Sequence, residues 1–220
     1  MDFVGKLIQP LLYTFLLILF IGLLSEQTQF SGNPMLWGFA LAMAARWLAE
    51  SLLPGAEVFR NRHHQSEHAR WLLWAVGLSF LTNLVLPIAD YRYRGEWGWT
   101  SPFARDQWWS WIGLLILVAG VAVRIQALRQ YVPPKPAPAT PAKRRQKKES
   151  ESQVVALELA ETKLFHLFDL GAAIAYLGIA LLCSSLWALL FWVVLILPIA
   201  IYRIHKVRVT TSPLADKVMA

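Results

Sequence analysis

Residues 108–128 read WWSWIGLLILVAGVAVRIQAL, and their only charge is Arg124, near the end. A run of roughly 20 apolar residues, coiled as a helix, spans the hydrocarbon core of a bilayer and satisfies its own backbone there. Five similar runs flank this one, at 4–24, 36–53, 71–89, 165–182 and 186–204. The pattern predicts an all-α fold, a polytopic membrane helix bundle of about six transmembrane helices. The run at 4–24 is longer and more apolar than a signal-peptide core, and no small-residue cleavage site follows it. It therefore reads as a membrane helix.

With 56% of 220 residues hydrophobic, most of the length lies in spans and no separate soluble domain fits. Three regions result: a four-span part at 1–131, a Pro-rich basic linker at 132–152, and a C-terminal part at 153–220. The single Cys183 excludes a disulfide framework and a Cys-rich metal centre. The net charge of +7 is confined to loops and tails. It reports topology and contact with anionic headgroups of membrane lipids, not nucleic acid.

Six spans place both termini on one side. Lys6, then Arg60, Arg62 and Arg70, then Lys135 and the run Lys143, Arg144, Arg145, Lys147 and Lys148, then Arg203, Lys206, Arg208 and Lys217 mark the termini and even-numbered loops as cytoplasmic. The third loop dissents with Arg92, Arg94 and Arg105. Trp97, Trp99, Trp108, Trp109 and Trp111 crowd the boundary of that loop as an interfacial aromatic belt, with sugar or quinone stacking as the sharper alternative.

The five prolines between Pro133 and Pro141 favour an extended stretch. The basic run after them reads as a disordered cytoplasmic loop, a tether to anionic headgroups, or a dock for an acidic membrane partner. From 153 to 168 the spacing of Val154, Leu157 and Leu164 against Glu158, Glu161 and Lys163 predicts an amphipathic helix along the interface.

Ionisable groups inside spans are candidate site residues, because hydrocarbon penalises them. Arg46 and Glu50 lie one turn apart on one face, either as a self-neutralising pair or lining a polar cavity. Arg124 is placed to snorkel toward the cytoplasmic face. Asp169 precedes the small residues Gly171, Ala172, Ala175 and Gly178, a sign of close helix packing, with Arg124 or Arg203 as its expected partner. Asn83 is expected to bond a neighbouring helix. His64, Glu67 and His68 match the inverted zinc-protease pattern, but Arg60, Arg62 and Arg70 surround them and disfavour a dication. The bland alternative is a juxtamembrane polar loop.

The stretch 86–92 (LPIADYR) followed by 120–127 (GVAVRIQA) resembles the isoprenylcysteine carboxyl methyltransferase family. So do Tyr176, Gly178, the turn Cys183-Ser184-Ser185 and the exit Tyr202-Arg203. The resemblance covers the last 130 residues or so. It implies a helical hairpin near the C-terminus and S-adenosylmethionine as cofactor, with a lipid-like or prenylated substrate. The family's Arg-His-Pro-x-Tyr-x-Gly motif is absent, since Ala172-Ala173-Ile174 precede Tyr176 and Gly178 in register. The paired Glu residues expected after the last helix are missing too. The expected function is therefore a non-catalytic scaffold, accessory or lipid-binding protein on that fold. A diverged S-adenosylmethionine-dependent methyltransferase is the alternative, and a small transporter built on Arg46, Glu50 and Asp169 the third.

Overall fold

The computed structural model describes residues 3–25, 32–53, 55–56, 78, 82, 84–86, 88–89, 102–131, 144–202 and 205; at 3–5, 24–25 and 144–162 it describes the backbone alone. The described residues build an all-helical bundle. Its elements are α1 (Phe3–Ser25), α2 (Pro34–Leu52), α3 (Trp108–Gln130), α4 (Arg144–Leu182) and α5 (Leu186–Phe191), the last continued by a π-helical turn at Trp192–Ile196. Three helical stretches are long and apolar enough to cross a membrane: Lys6–Leu23, Trp108–Gln130 and Lys163–Leu182. Leu186–Tyr202 is a shorter apolar helix. α2 has the length, at 19 residues, but Arg46 and Glu50 dilute its apolar character.

Local chemistry sets the helix boundaries. Asn33 caps α2 by accepting from the Met35 amide at 3.0 Å, and Pro34 follows it at the position where a missing amide costs nothing. Ser185 caps α5 by accepting from the Ala188 amide at 3.3 Å. Inside α1, Pro10 supplies no amide hydrogen to the carbonyl of Lys6 one turn earlier. The Ser51 hydroxyl, from the end of α2, donates to that carbonyl at 2.6 Å. This bond fastens the start of α1 to the end of α2, so the two run antiparallel.

α2 and α3 run parallel. Gly38 sits against Leu114 near their starts, and Glu50 meets Arg124 near their ends. α2 thus ends at the opposite end of the bundle from the start of α3; most of the run at 71–89, expected to span between them, lies outside the described residues. The described positions 84–86 and 88–89 are helical. Leu84 and Ile88 are buried in one cluster with Phe39, Leu117, Ile179 and Leu182. Asn83 lies outside the described residues.

α3 and α4 form the tightest pair, and they are antiparallel. Gly113 and Gly120 on α3 face Gly178 and Gly171 on α4, so both helices present a glycine every seven residues. A Cβ on any of the four would land on the partner's backbone. Close approach of this kind substitutes van der Waals contact for the hydrophobic drive that lipid removes. α4 is one continuous helix from Arg144, so the predicted boundary at 152 between linker and amphipathic helix falls inside it. Residues 132–143 lie outside the described set. Conversely, α1 turns Ile8, Leu11, Leu12, Phe15, Leu19 and Leu23 outward, a continuous apolar surface of the kind a candidate membrane span presents.

Candidate functional site

α2 carries Arg46 and Glu50 one turn apart. Glu50 Oε1 accepts from Arg46 Nε at 3.1 Å. The same oxygen accepts from Arg124 Nε at 2.5 Å, across from α3. Arg124 stands one turn beyond Gly120, where a Cβ in place of the hydrogen of Gly171 on α4 would collide with its backbone amide and Cβ. The close helix contact thus holds the base of this side chain. Its guanidinium lies over the ring of Phe168, Cζ to centroid 3.6 Å. The Arg46 guanidinium is 5.8 Å from the ring centroid of Tyr176, also on α4. Two cation–aromatic contacts and two charge-assisted hydrogen bonds therefore tie α2, α3 and α4 at one level.

The side chains are 10% (Arg46), 12% (Arg124) and 28% (Glu50) exposed. Four residues singled out from sequence, Arg46, Glu50, Arg124 and Tyr176, are brought together. Arg124 does not run free to the interface as a snorkelling residue would; it is held by Glu50 and Phe168. Asp169 sits beside Phe168 on α4 and is half-buried. Arg203, His64, Glu67 and His68 lie outside the described residues. Among the described residues no three His, Cys, Asp or Glu side chains gather as metal ligands.

The chemistry open to this cluster is narrow. An arginine cannot serve as a base at physiological pH. Glu50, the one carboxylate in the cluster, is occupied by two cations. Among the described residues the cluster carries two positive charges against one negative.

The opposite end of the bundle is fastened by neutral groups. The Phe103 amide donates to the Leu182 carbonyl at 3.3 Å, and Asn33 Nδ2 donates to the Phe103 carbonyl at 3.3 Å. Ser110 and Ser184 hydroxyls meet at 3.3 Å. Phe103 and Ser184 take the left-handed backbone, at φ 56° and 51°. Cys183, in this turn, is buried, and burial pushes its thiol up to about 12.

Sequence reasoning missed Phe168, Ser51, and two members of the aromatic belt. Trp37 and Trp187 are exposed at the starts of α2 and α5, the level at which Trp108, Trp109 and Trp111 begin α3. The signal that could have found them is position: each falls within a turn of a helix start. Trp192 is different, since its indole donates to the Ala173 carbonyl of α4 at 2.8 Å.

No protein-family model, curated protein or solved structure matches this chain.

Proposed function

We propose that this chain is an integral membrane protein of six spans with both termini cytoplasmic, serving as a non-catalytic scaffold, accessory or lipid-binding protein. The observation that carries this reading is the Arg46–Glu50–Arg124 cluster. Its carboxylate is held by two guanidinium groups that cross-link three helices, which leaves no activated base or nucleophile among them. The exposed tryptophans at one end and the basic loops at the other favour the stated orientation.

The likeness to the isoprenylcysteine carboxyl methyltransferases enters here as a shared architecture. Tyr176 and Gly178, which carry that likeness, act in helix packing: Tyr176 lies by Arg46, and Gly178 meets the backbone of Leu117. Ala173 offers its carbonyl to Trp192. Positions that would need Arg, His and Pro for the cofactor hold Ala172, Ala173 and Ile174, apolar groups with no side-chain hydrogen bonds to give.

Calorimetric titration of the folded, detergent-purified protein with S-adenosylmethionine, and separately with S-adenosylhomocysteine, tests the reading. No heat of binding is expected. Saturable binding would overturn it in favour of a diverged methyltransferase acting on a lipid-like or prenylated substrate.

A further inference from the structure

Resting on the lipid-binding form of that reading, we propose that the Arg46–Glu50–Arg124 cluster is a binding site for the phosphate of an anionic phospholipid. Charge is the first argument. Among the described residues, two guanidinium groups share one carboxylate oxygen, so the cluster holds one positive charge in excess in a weakly polar setting. An uncompensated ion there is costly, and an anion that completes the cluster removes the cost.

Depth is the second argument. Glu50 lies two residues before the end of α2, and Arg124 six residues before the end of α3, about 9 Å along the axis. Both helices end on the face where the basic loops begin. The headgroup level of a leaflet lies at those helix ends, about two turns or less beyond the cluster. Zwitterionic lipid carries the same phosphate but cancels its charge, so the site discriminates by net charge.

Preorganisation is the third. The Arg124 Cζ lies over the Phe168 ring, 3.6 Å from its centroid, and Glu50 fixes the Nε edge of the guanidinium. The terminal nitrogens of Arg124 make no further hydrogen bond among the described residues, and an Arg fork matches two phosphate oxygens at once. Glu50, the most exposed of the three, marks the open side.

The test uses the full chain in neutral detergent with short-chain phosphatidylglycerol, short-chain phosphatidylcholine and inorganic phosphate as probes, read by native mass spectrometry and by thermal unfolding. Phosphatidylglycerol is expected to bind at one per chain and raise the unfolding midpoint, with phosphatidylcholine inert. Millimolar inorganic phosphate should leave it bound; displacement would assign the site to soluble phosphate and overturn the lipid source. Arg124→Gln should weaken binding by about tenfold or more, the loss of one charge-assisted hydrogen bond. Glu50→Gln, which adds to the excess charge, should tighten it. If Arg124→Gln does not fold, the wild-type selectivity and Glu50→Gln decide. Equal binding of the two lipids, or unchanged affinity in Glu50→Gln, overturns the proposal. Titrating S-adenosylmethionine into the same preparation separates the failures. Cofactor binding with lipid selectivity sinks the non-catalytic reading alone, and neither binding sinks the lipid site alone.

Discussion

Glu50 is the residue on which the bundle's polar interior turns, because two guanidinium groups share its Oε1. Replacing it with Ala strands both in a weakly polar interior. The expected cost is about 3–5 kcal/mol, the range for breaking a buried pair by removing one partner. Replacing Arg46, Glu50 and Arg124 together with Met, Gln and Met should recover most of that loss, since no lone charge remains. Unfolding in mixed detergent, read by circular dichroism, compares the two variants; equal destabilisation would show that shape, not charge balance, matters here. Cys183 gives a second prediction at this scale. The thiolate is the reactive form, and a thiol pushed up to about 12 is almost wholly protonated near neutral pH. Maleimide at neutral pH should label the folded protein slowly and the denatured protein at once. The pairing of Arg46 with Glu50 was legible in sequence, since a helix brings residues four apart together. The pairing of Glu50 with Arg124, 74 positions away, was not. Sequence shows that a charge in a span needs a partner; only tertiary structure says which one.

At the scale of elements, the seven-residue glycine spacing on α3 and α4 governs how close the two helices come. Gly178→Ala would place its Cβ on the Leu117 backbone, so the helices must separate. Overpacking of this kind costs about 1–3 kcal/mol. Gly32→Ala is the matched control, because nothing lies within 4 Å of the point where its methyl would stand, and its cost should be near zero. Thermal unfolding of both variants in one detergent checks the contrast; equal shifts would remove close packing as the cause. The small-residue face of α4 is readable in sequence. Its mate on α3 is less conspicuous, although Gly113 and Gly120 carry the same spacing. Matching periods on two helices, not a small-residue run on one, is the signal. The π-helical turn at Trp192–Ile196 had no sequence signal, since one extra residue in a turn leaves the apolar run unchanged. α4 also shows where composition misleads. Its 39 residues extend about 58 Å, and the 20 from Lys163 to Leu182 take about 30 Å of that. Polar residues at 144–152 read as linker by composition, yet they continue the helix.

For the whole molecule, the direction of each helix constrains how the chain crosses the membrane. α1 and α2 are antiparallel, α2 and α3 parallel, α3 and α4 antiparallel, and the turn at Cys183 reverses the chain into α5. Parallel α2 and α3 require an odd number of crossings between them, and the six-span reading assigns one to the apolar run at 71–89. The loops after α2 and after α3 then open on one face, together with the start of α1. These are the segments with Arg60, Arg62, Arg70 and the run from Lys143 to Lys148, while the loop before α2 has no Lys or Arg. Helix direction groups these segments on one face, and under the proposed function the charge bias makes that face cytoplasmic. The arginines of the third loop oppose it; the exposed tryptophans beside them sit at one level of the bundle, as an interfacial belt would. The orientation can be tested on single-cysteine variants in a Cys183→Ser background, using a membrane-impermeant maleimide on intact cells. Thr28→Cys and Thr100→Cys should label from outside. Ser66→Cys and Ser150→Cys should label only after the membrane is opened. Labelling of Ser66→Cys and Ser150→Cys from opposite sides would break the six-span parity. Labelling of both from outside would keep the parity and invert the protein, putting the Arg46–Glu50–Arg124 cluster at the outer leaflet.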